Sequence, residues 1–205
     1  MLDGIGRVLM QGIEQFYSWT GNYGVAIILL TIAIRTLLLP LTQSQVRSMK
    51  KMRDLSPKVE ELKKKYKNDQ PRLNKETMEL YKANKVNPLA GCLPLLLQFP
   101  FIIALFRVLE NYPYQGPSNF LWLSNLGLPD PFYILPVLAA VTTFWQSKVS
   151  SMGGQEGAQA TMLYAMPLLI GWFSTRFAAG LSLYWVVGNL FGVAEQYVIG
   201  MKKAD

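Results

Sequence analysis

The sequence predicts an all-α membrane protein: five transmembrane helices with a cytoplasmic two-helix hairpin and an N-terminal interfacial helix. Three observations carry that expectation. Half of the residues (51%) are hydrophobic and only 16% are charged, a low charged fraction for a soluble chain. Five apolar runs approach the roughly 20 residues that a helix needs to cross about 30 Å of hydrocarbon. The basic charge is also concentrated, because residues 42–88 hold thirteen Lys/Arg against six acids, a surplus of seven that equals the net charge of all 205 residues. Five such runs folded as a soluble core would leave too little polar surface to cover them.

Residues 1–19 mix acids, bases and glycines, and lack the basic start and unbroken apolar run of a signal peptide. Leu2, Ile5, Leu9, Ile13, Phe16 and Tyr17 recur at three- and four-residue steps, the pattern of an amphipathic helix on the outer interface. The first span is 20–41, and 42–88 reads as a charged helical hairpin. Ser56 is its expected N-cap with Pro57 at the first helical position, "NDQP" breaks it, and Asn87-Pro88 stops it. The second span follows at 89–110, an extracytoplasmic loop at 111–131 and the third span at 132–150. A short cytoplasmic loop, 151–159, leads to the fourth span at 160–177; the fifth is 181–200, and 201–205 is a cytoplasmic tail.

Orientation follows from Lys and Arg. The 42–88 segment is rich in them, whereas "ENYPYQGPSNFLWLSNLGLPDP" has none, which places the former inside. An odd number of spans then puts the N-terminus outside and the C-terminus in the cytoplasm. Arg107 and Arg176 fall near outer ends, against that trend, at depths where single charges snorkel.

Function classes narrow by subtraction. Cys92 is the one cysteine and histidine is absent, so no intrachain disulfide forms and a zinc or iron–sulfur site has no ligand set. No Gly-rich phosphate loop, serine elbow or histidine base is present. The expectation is a protein that is not an enzyme and needs no cofactor.

The residue that demands an explanation is Arg35. It interrupts Gly24–Leu41, eighteen residues whose only other polar members are Thr31 and Thr36. Its guanidinium stays charged at any working pH. An arginine near a helix centre costs about 2.5–3.5 kcal/mol, and the eleven Val, Ile and Leu residues of this run offset about 3–7 kcal/mol. Snorkelling toward the cytoplasm is opposed by the lean of helical side chains toward the N-terminus. The other reading is a water-filled cavity open to the cytoplasm. Gln98 in the second span, Gln146 in the third and Asn189 in the fifth supply polar groups at comparable depth, and Thr31 shares Arg35's face. Glu195 falls nearer the inner edge, so no carboxylate stands at matching depth and a hydrated arginine is expected over a buried ion pair.

The charged hairpin admits two readings. It is either a solvated hairpin that enforces topology, or a docking surface for anionic lipid heads, ribosomal RNA or an incoming chain. Lys50, Lys51, Arg53, Lys63, Lys64 and Lys65 are its docking candidates, and their interleaving with acids speaks against DNA.

Three stretches resemble the YidC-type membrane protein insertases, which include the Oxa relatives of mitochondria and the Alb relatives of chloroplasts. They are "IAIRTLLLPLTQSQVRSMKKM", "YKANKVNPLAGCLPLLLQFPFIIALFRVL" and "FAAGLSLYWVVGNLFGVAEQ". The resemblance covers nearly all of 15–200. It implies a five-helix bundle in the bacterial cell membrane whose hydrophilic groove opens to cytoplasm and lipid and receives the transmembrane segments of nascent proteins. By position the groove role passes to Arg35, with Gln146 and Trp185 lining it; Thr31, Gln98 and Asn189 are added from depth and face. The implied partners are nascent membrane proteins and anionic lipids, with the Sec translocon and the ribosome as further candidates. Three departures bear on this: no large extracellular domain precedes the first span, no lipid-modified cysteine begins the chain, and the tail "MKKAD" is short for ribosome binding. The rival from another class is a small transporter or anion channel using Arg35 as its binding site. It requires a path to both faces and usually an internal repeat, and no repeat relates the halves.

Overall fold

The computed structural model describes residues 2–84, 86, 93–110, 116–150 and 158–201. Its elements are eight helices: α1 (Leu2–Thr20), α2 (Tyr23–Asp54), α3 (Ser56–Lys65), α4 (Gln70–Ala83), α5 (Leu93–Glu110), α6 (Ile134–Ser150), α7 (Ala158–Ser174) and α8 (Ala179–Met201). The expected all-α class holds. The expected boundaries at 87–92, 151–157 and 202–205 lie outside the described residues.

The first two helices form a hairpin. Gly21, at φ +65°, turns the chain, and the Tyr17 and Tyr23 rings stack at 3.9 Å across the turn. Nine residues to either side, Gly12 meets Leu30, so α1 runs back along α2. Leu9 and Ile13 of α1 are buried in one apolar cluster with Ile27 and Leu30 of α2 and Leu105 and Leu109 of α5. The apolar stripe of α1 packs on protein, because α2 and α5 offer it a matching apolar surface. Val8 and Trp19 remain exposed.

The second helix corrects a boundary. It continues unbroken from the apolar run into the basic segment as far as Asp54, because "TQSQVRSMKKMRD" contains neither glycine nor proline to stop it. Tyr23–Ser44, with mean hydropathy 2.3, is the one segment among the described residues that is long and apolar enough by itself to cross a membrane.

The charged hairpin begins only after Asp54. Leu55 occupies the N-cap of α3 without a side-chain cap bond, and Ser56 is the first helical residue; the expected serine cap is displaced by one position because α2 runs directly into α3. Asp69 caps α4 by accepting from the Arg72 amide at 3.1 Å. Met52, Leu55 and Val86 bury one another at the base, with Tyr81 packed on them, so the chain leaves and returns at one point.

The remaining helices assemble on α8. Ile27 lies against Gly180, Arg35 against Gly188 and Thr42 against Glu195, 153 positions apart in sequence, as are the other two pairs. A constant offset means that α2 and α8 run parallel and in register. The pairs Thr143–Asn189 and Ser150–Gln196 share an offset of 46, so α6 is also parallel to α8. Gly171 against Ala140 and Tyr164 against Phe144 make α7 antiparallel to α6. Residues 116–131 close one end of the bundle, where Leu128 and Leu126 carbonyls accept from the Ala179 and Gly180 amides, satisfying donors that the start of α8 leaves open. Asp130 closes the start of α6, accepting from the Phe132 and Leu135 amides at 3.0 and 2.7 Å.

Candidate functional site: a polar seam along α8

One face of α8 gathers the polar residues. At 100° per residue, Gly188 and Glu195 point toward α2, while Trp185, Asn189, Gly192 and Gln196 point toward α6. Both neighbours pack along α8 and, among the described residues, scarcely touch each other. The space between α2 and α6 is therefore floored by α8.

Arg35 enters from the α2 side. A Cβ on Gly188 would lie 2.9 Å from its Nη2 and 3.4 Å from its Nε, so any side chain there would push the guanidinium away from its present place against α8. Arg35 Nε is buried and has no hydrogen-bond partner among the described residues. Two turns further along α2, the Thr42 hydroxyl donates to Glu195 Oε1. The Glu195 carboxylate is within electrostatic range of Arg35, although the two form no ion pair among the described residues.

The α6 side is different because its polar groups satisfy one another. Trp185 Nε1 donates to Thr143 Oγ1 at 2.9 Å. The Asn189 amide is oriented by its neighbours: its oxygen accepts from Thr143 Oγ1 at 2.9 Å and its nitrogen donates to Gln146 Oε1 at 2.5 Å. The reverse orientation would press two oxygens together. Thr142 returns its own hydroxyl to the Leu138 carbonyl at 2.7 Å. Gln146 packs on Gly192, where a Cβ would come within 2.5 Å of its Nε2.

Of the residues expected at the groove, Gln146, Trp185 and Asn189 are brought together and Arg35 faces them across α8. Thr31 is not among them. It is 0% exposed and its hydroxyl donates to the Ile27 carbonyl at 2.6 Å, since its side of α2 turns into the apolar cluster. The Gln98 side chain lies outside the described residues. Lys50, Lys51, Lys63, Lys64 and Lys65 are exposed, with Lys65 Nζ 5.3 Å from the Tyr66 ring centre; the Arg53 side chain lies outside the described residues. Sequence reasoning missed Gly188 and Gly192 as members of the site and Thr42 as Glu195's partner; Thr143 had signalled itself only as one of several polar residues of the third span near Arg35's depth. The glycines had a legible signal, since "GNLFG" is a G-x-x-x-G step of the kind that lets helices approach closely.

The model of the 60Kd inner membrane protein family matches residues 15–205, which takes in every residue of the seam. The chain belongs to this family. Among 60Kd inner membrane protein relatives, a membrane protein insertase YidC of Caldanaerobacter subterraneus is 44% identical over 194 residues, covering 95% of this chain and 93% of the relative. One from Fusobacterium nucleatum is 48% identical over 187 residues, with 91% and 89% covered. One from Shewanella loihica is 43% identical over 192 residues, but there the chain spans only 35% of the relative. A solved active YidC insertase structure superposes with a TM-score of 0.74 at 28% identity, covering 95% of this chain and 46% of that one. The helical arrangement described above is thus that of the YidC fold.

Proposed function

We propose that the chain is a membrane protein insertase, in which the α8 seam receives a polar segment of a nascent protein while the adjoining apolar helix passes into lipid. The observation that carries this reading is the contrast across the seam. The α6 side is hydrogen-bonded to itself, whereas the Arg35 guanidinium has a buried Nε that nothing among the described residues bonds. A permanent cation at that depth of an apolar helix requires water or an incoming acceptor.

The α2, α5, α6, α7 and α8 helices are the five spans of this reading. Their directions fit alternate crossing: α2, α6 and α8 run one way and α7 the other, and the end of α5 meets the start of α8 through Phe106 and Phe177, with ring centres 5.4 Å apart. Apolar side chains stand outward on the helices, among them Leu37, Val141, Leu168 and Trp172, a surface suited to acyl chains. The α3–α4 hairpin, with the basic end of α2, lies in the cytoplasm, the N-terminus outside and the C-terminus inside. Exposed lysines at the hairpin base and tip attract anionic headgroups.

The work done is partitioning. A polar segment resting on the seam crosses only part of the hydrocarbon, with Arg35 attracting its acids transiently. The free energy comes from transfer of the substrate's apolar helix into lipid. Arg35→Ala in proteoliposomes is expected to lower insertion of a single-span substrate with an acidic translocated segment about tenfold, the equivalent of ~1.4 kcal/mol of lost attraction. Arg35→Lys, which keeps the charge, is expected to retain most of it. Equal insertion by wild type and both variants contradicts the electrostatic role.

A further inference from the structure

The α2–α8 seam holds a second charge that the insertase reading does not use. Glu195 is half buried, lies on the same face of α8 as Gly188, and is pinned by the Thr42 hydroxyl. Because α2 and α8 are in register, the step from Arg35 to Thr42 and the step from Gly188 to Glu195 are both seven residues, about 10 Å of helix. The carboxylate therefore stands two turns from the guanidinium on the same side of α8, nearer the C-terminal end of the seam. It is too far to neutralise Arg35 by bonding and near enough to be felt by it. In a cleft with low-dielectric walls a charge at that distance is screened less than it would be in open water.

We propose that Glu195 is a specificity-determining residue that sets which charge pattern the seam admits. The proposal rests on the insertase reading, which makes the C-terminal end of the seam the cytoplasmic mouth. A polyacidic segment entering there meets a fixed negative charge before it reaches Arg35 and is disfavoured. A segment with an acid at its deep end and a base about three extended residues nearer the cytoplasm, a span of about 10 Å, meets both charges with opposite ones. The favoured substrate class is thus a charge-paired or weakly acidic translocated segment. Thr42 bonds the carboxylate on its α2 side, and the charge stays on the approach with or without that bond, because Glu195 is set there by its place on α8.

Three single-span substrates that differ only in the translocated segment test this: neutral, diacidic, and acid–base paired at the three-residue step. Each is presented to purified protein in vesicles of zwitterionic lipid, and the protease-protected fraction is measured. Glu195→Gln removes the charge and keeps an oxygen for Thr42. It is expected to raise the diacidic-to-neutral ratio at least threefold and to lower the paired-to-neutral ratio. Thr42→Val keeps the charge and removes its tether, and is expected to leave the diacidic-to-neutral ratio within twofold of wild type. Ratios that are the same in Glu195→Gln and wild type, including a parallel loss on all three substrates, overturn the proposal while leaving the insertase reading intact. Failure of wild type to insert the neutral substrate overturns both.

Discussion

Arg35 and the glycine beneath it form a single feature. The guanidinium lies against α8 where residue 188 has no side chain, so Gly188→Leu is expected to displace it and reduce insertion of acidic substrates to the level of Arg35→Ala, read in the same vesicle assay. Ile13 tests a different role. It is 0% exposed within the apolar cluster, and Ile13→Ala is expected to cost about 2–5 kcal/mol through the cavity it leaves, seen as a lower unfolding midpoint in detergent. At this scale the sequence was informative where chemistry is scarce. A charge in an apolar run stands out, and Arg35 was legible for that reason. Thr31 was misleading because a mid-helix hydroxyl satisfies itself on its own backbone, so its presence four residues from Arg35 said nothing about a wet face.

The all-helical class was legible, and the joints between the helices of the described residues were not. Apolar runs mark spans because the bilayer sets their length. The helix α2 runs through Pro40 and meets neither glycine nor proline between there and Asp54, and a change from apolar to charged composition does not end a helix. Likewise α1 shows an amphipathic stripe in sequence, but no periodicity says whether lipid or α2 covers it. The cap of α4 gives a local prediction: Asp69→Ala removes the acceptor of the Arg72 amide and is expected to cost about 0.5–2 kcal/mol. Amide exchange should quicken in α3 and α4 while the bundle stays protected. Tyr81 at the hairpin base gives another. Burial raises its phenol above the usual 10, so the folded base holds its proton where the unfolded chain loses it. Stability of the hairpin is then full below pH 10 and falls as pH rises beyond it, a trend measurable by amide exchange against pH.

Across the whole molecule, the register of α2 and α6 on α8 determines the site. Two parallel helices lean on one polar face of α8 and, among the described residues, scarcely touch each other. The polar groups they meet differ in kind: a neutral self-bonded network on the α6 side and, on the α2 side, a cation whose buried Nε has no partner among the described residues. Sequence alone could nominate Gln146, Trp185 and Asn189, yet the Thr143–Asn189–Gln146 chain needs two helices 46 residues apart to meet at one level. Such long-range register is encoded in packing, here through the Gly188 and Gly192 step, and leaves only a faint local trace.

The central claim is that the position of Arg35 is wet and reached from the cytoplasm. Arg35→Cys in a Cys92→Ser background, probed with a charged, membrane-impermeant thiol reagent on sealed vesicles of each orientation, measures this directly. The account predicts rapid modification from the cytoplasmic face and none from the outer face. A thiol that stays unmodified from the cytoplasm, or reacts from outside, contradicts it.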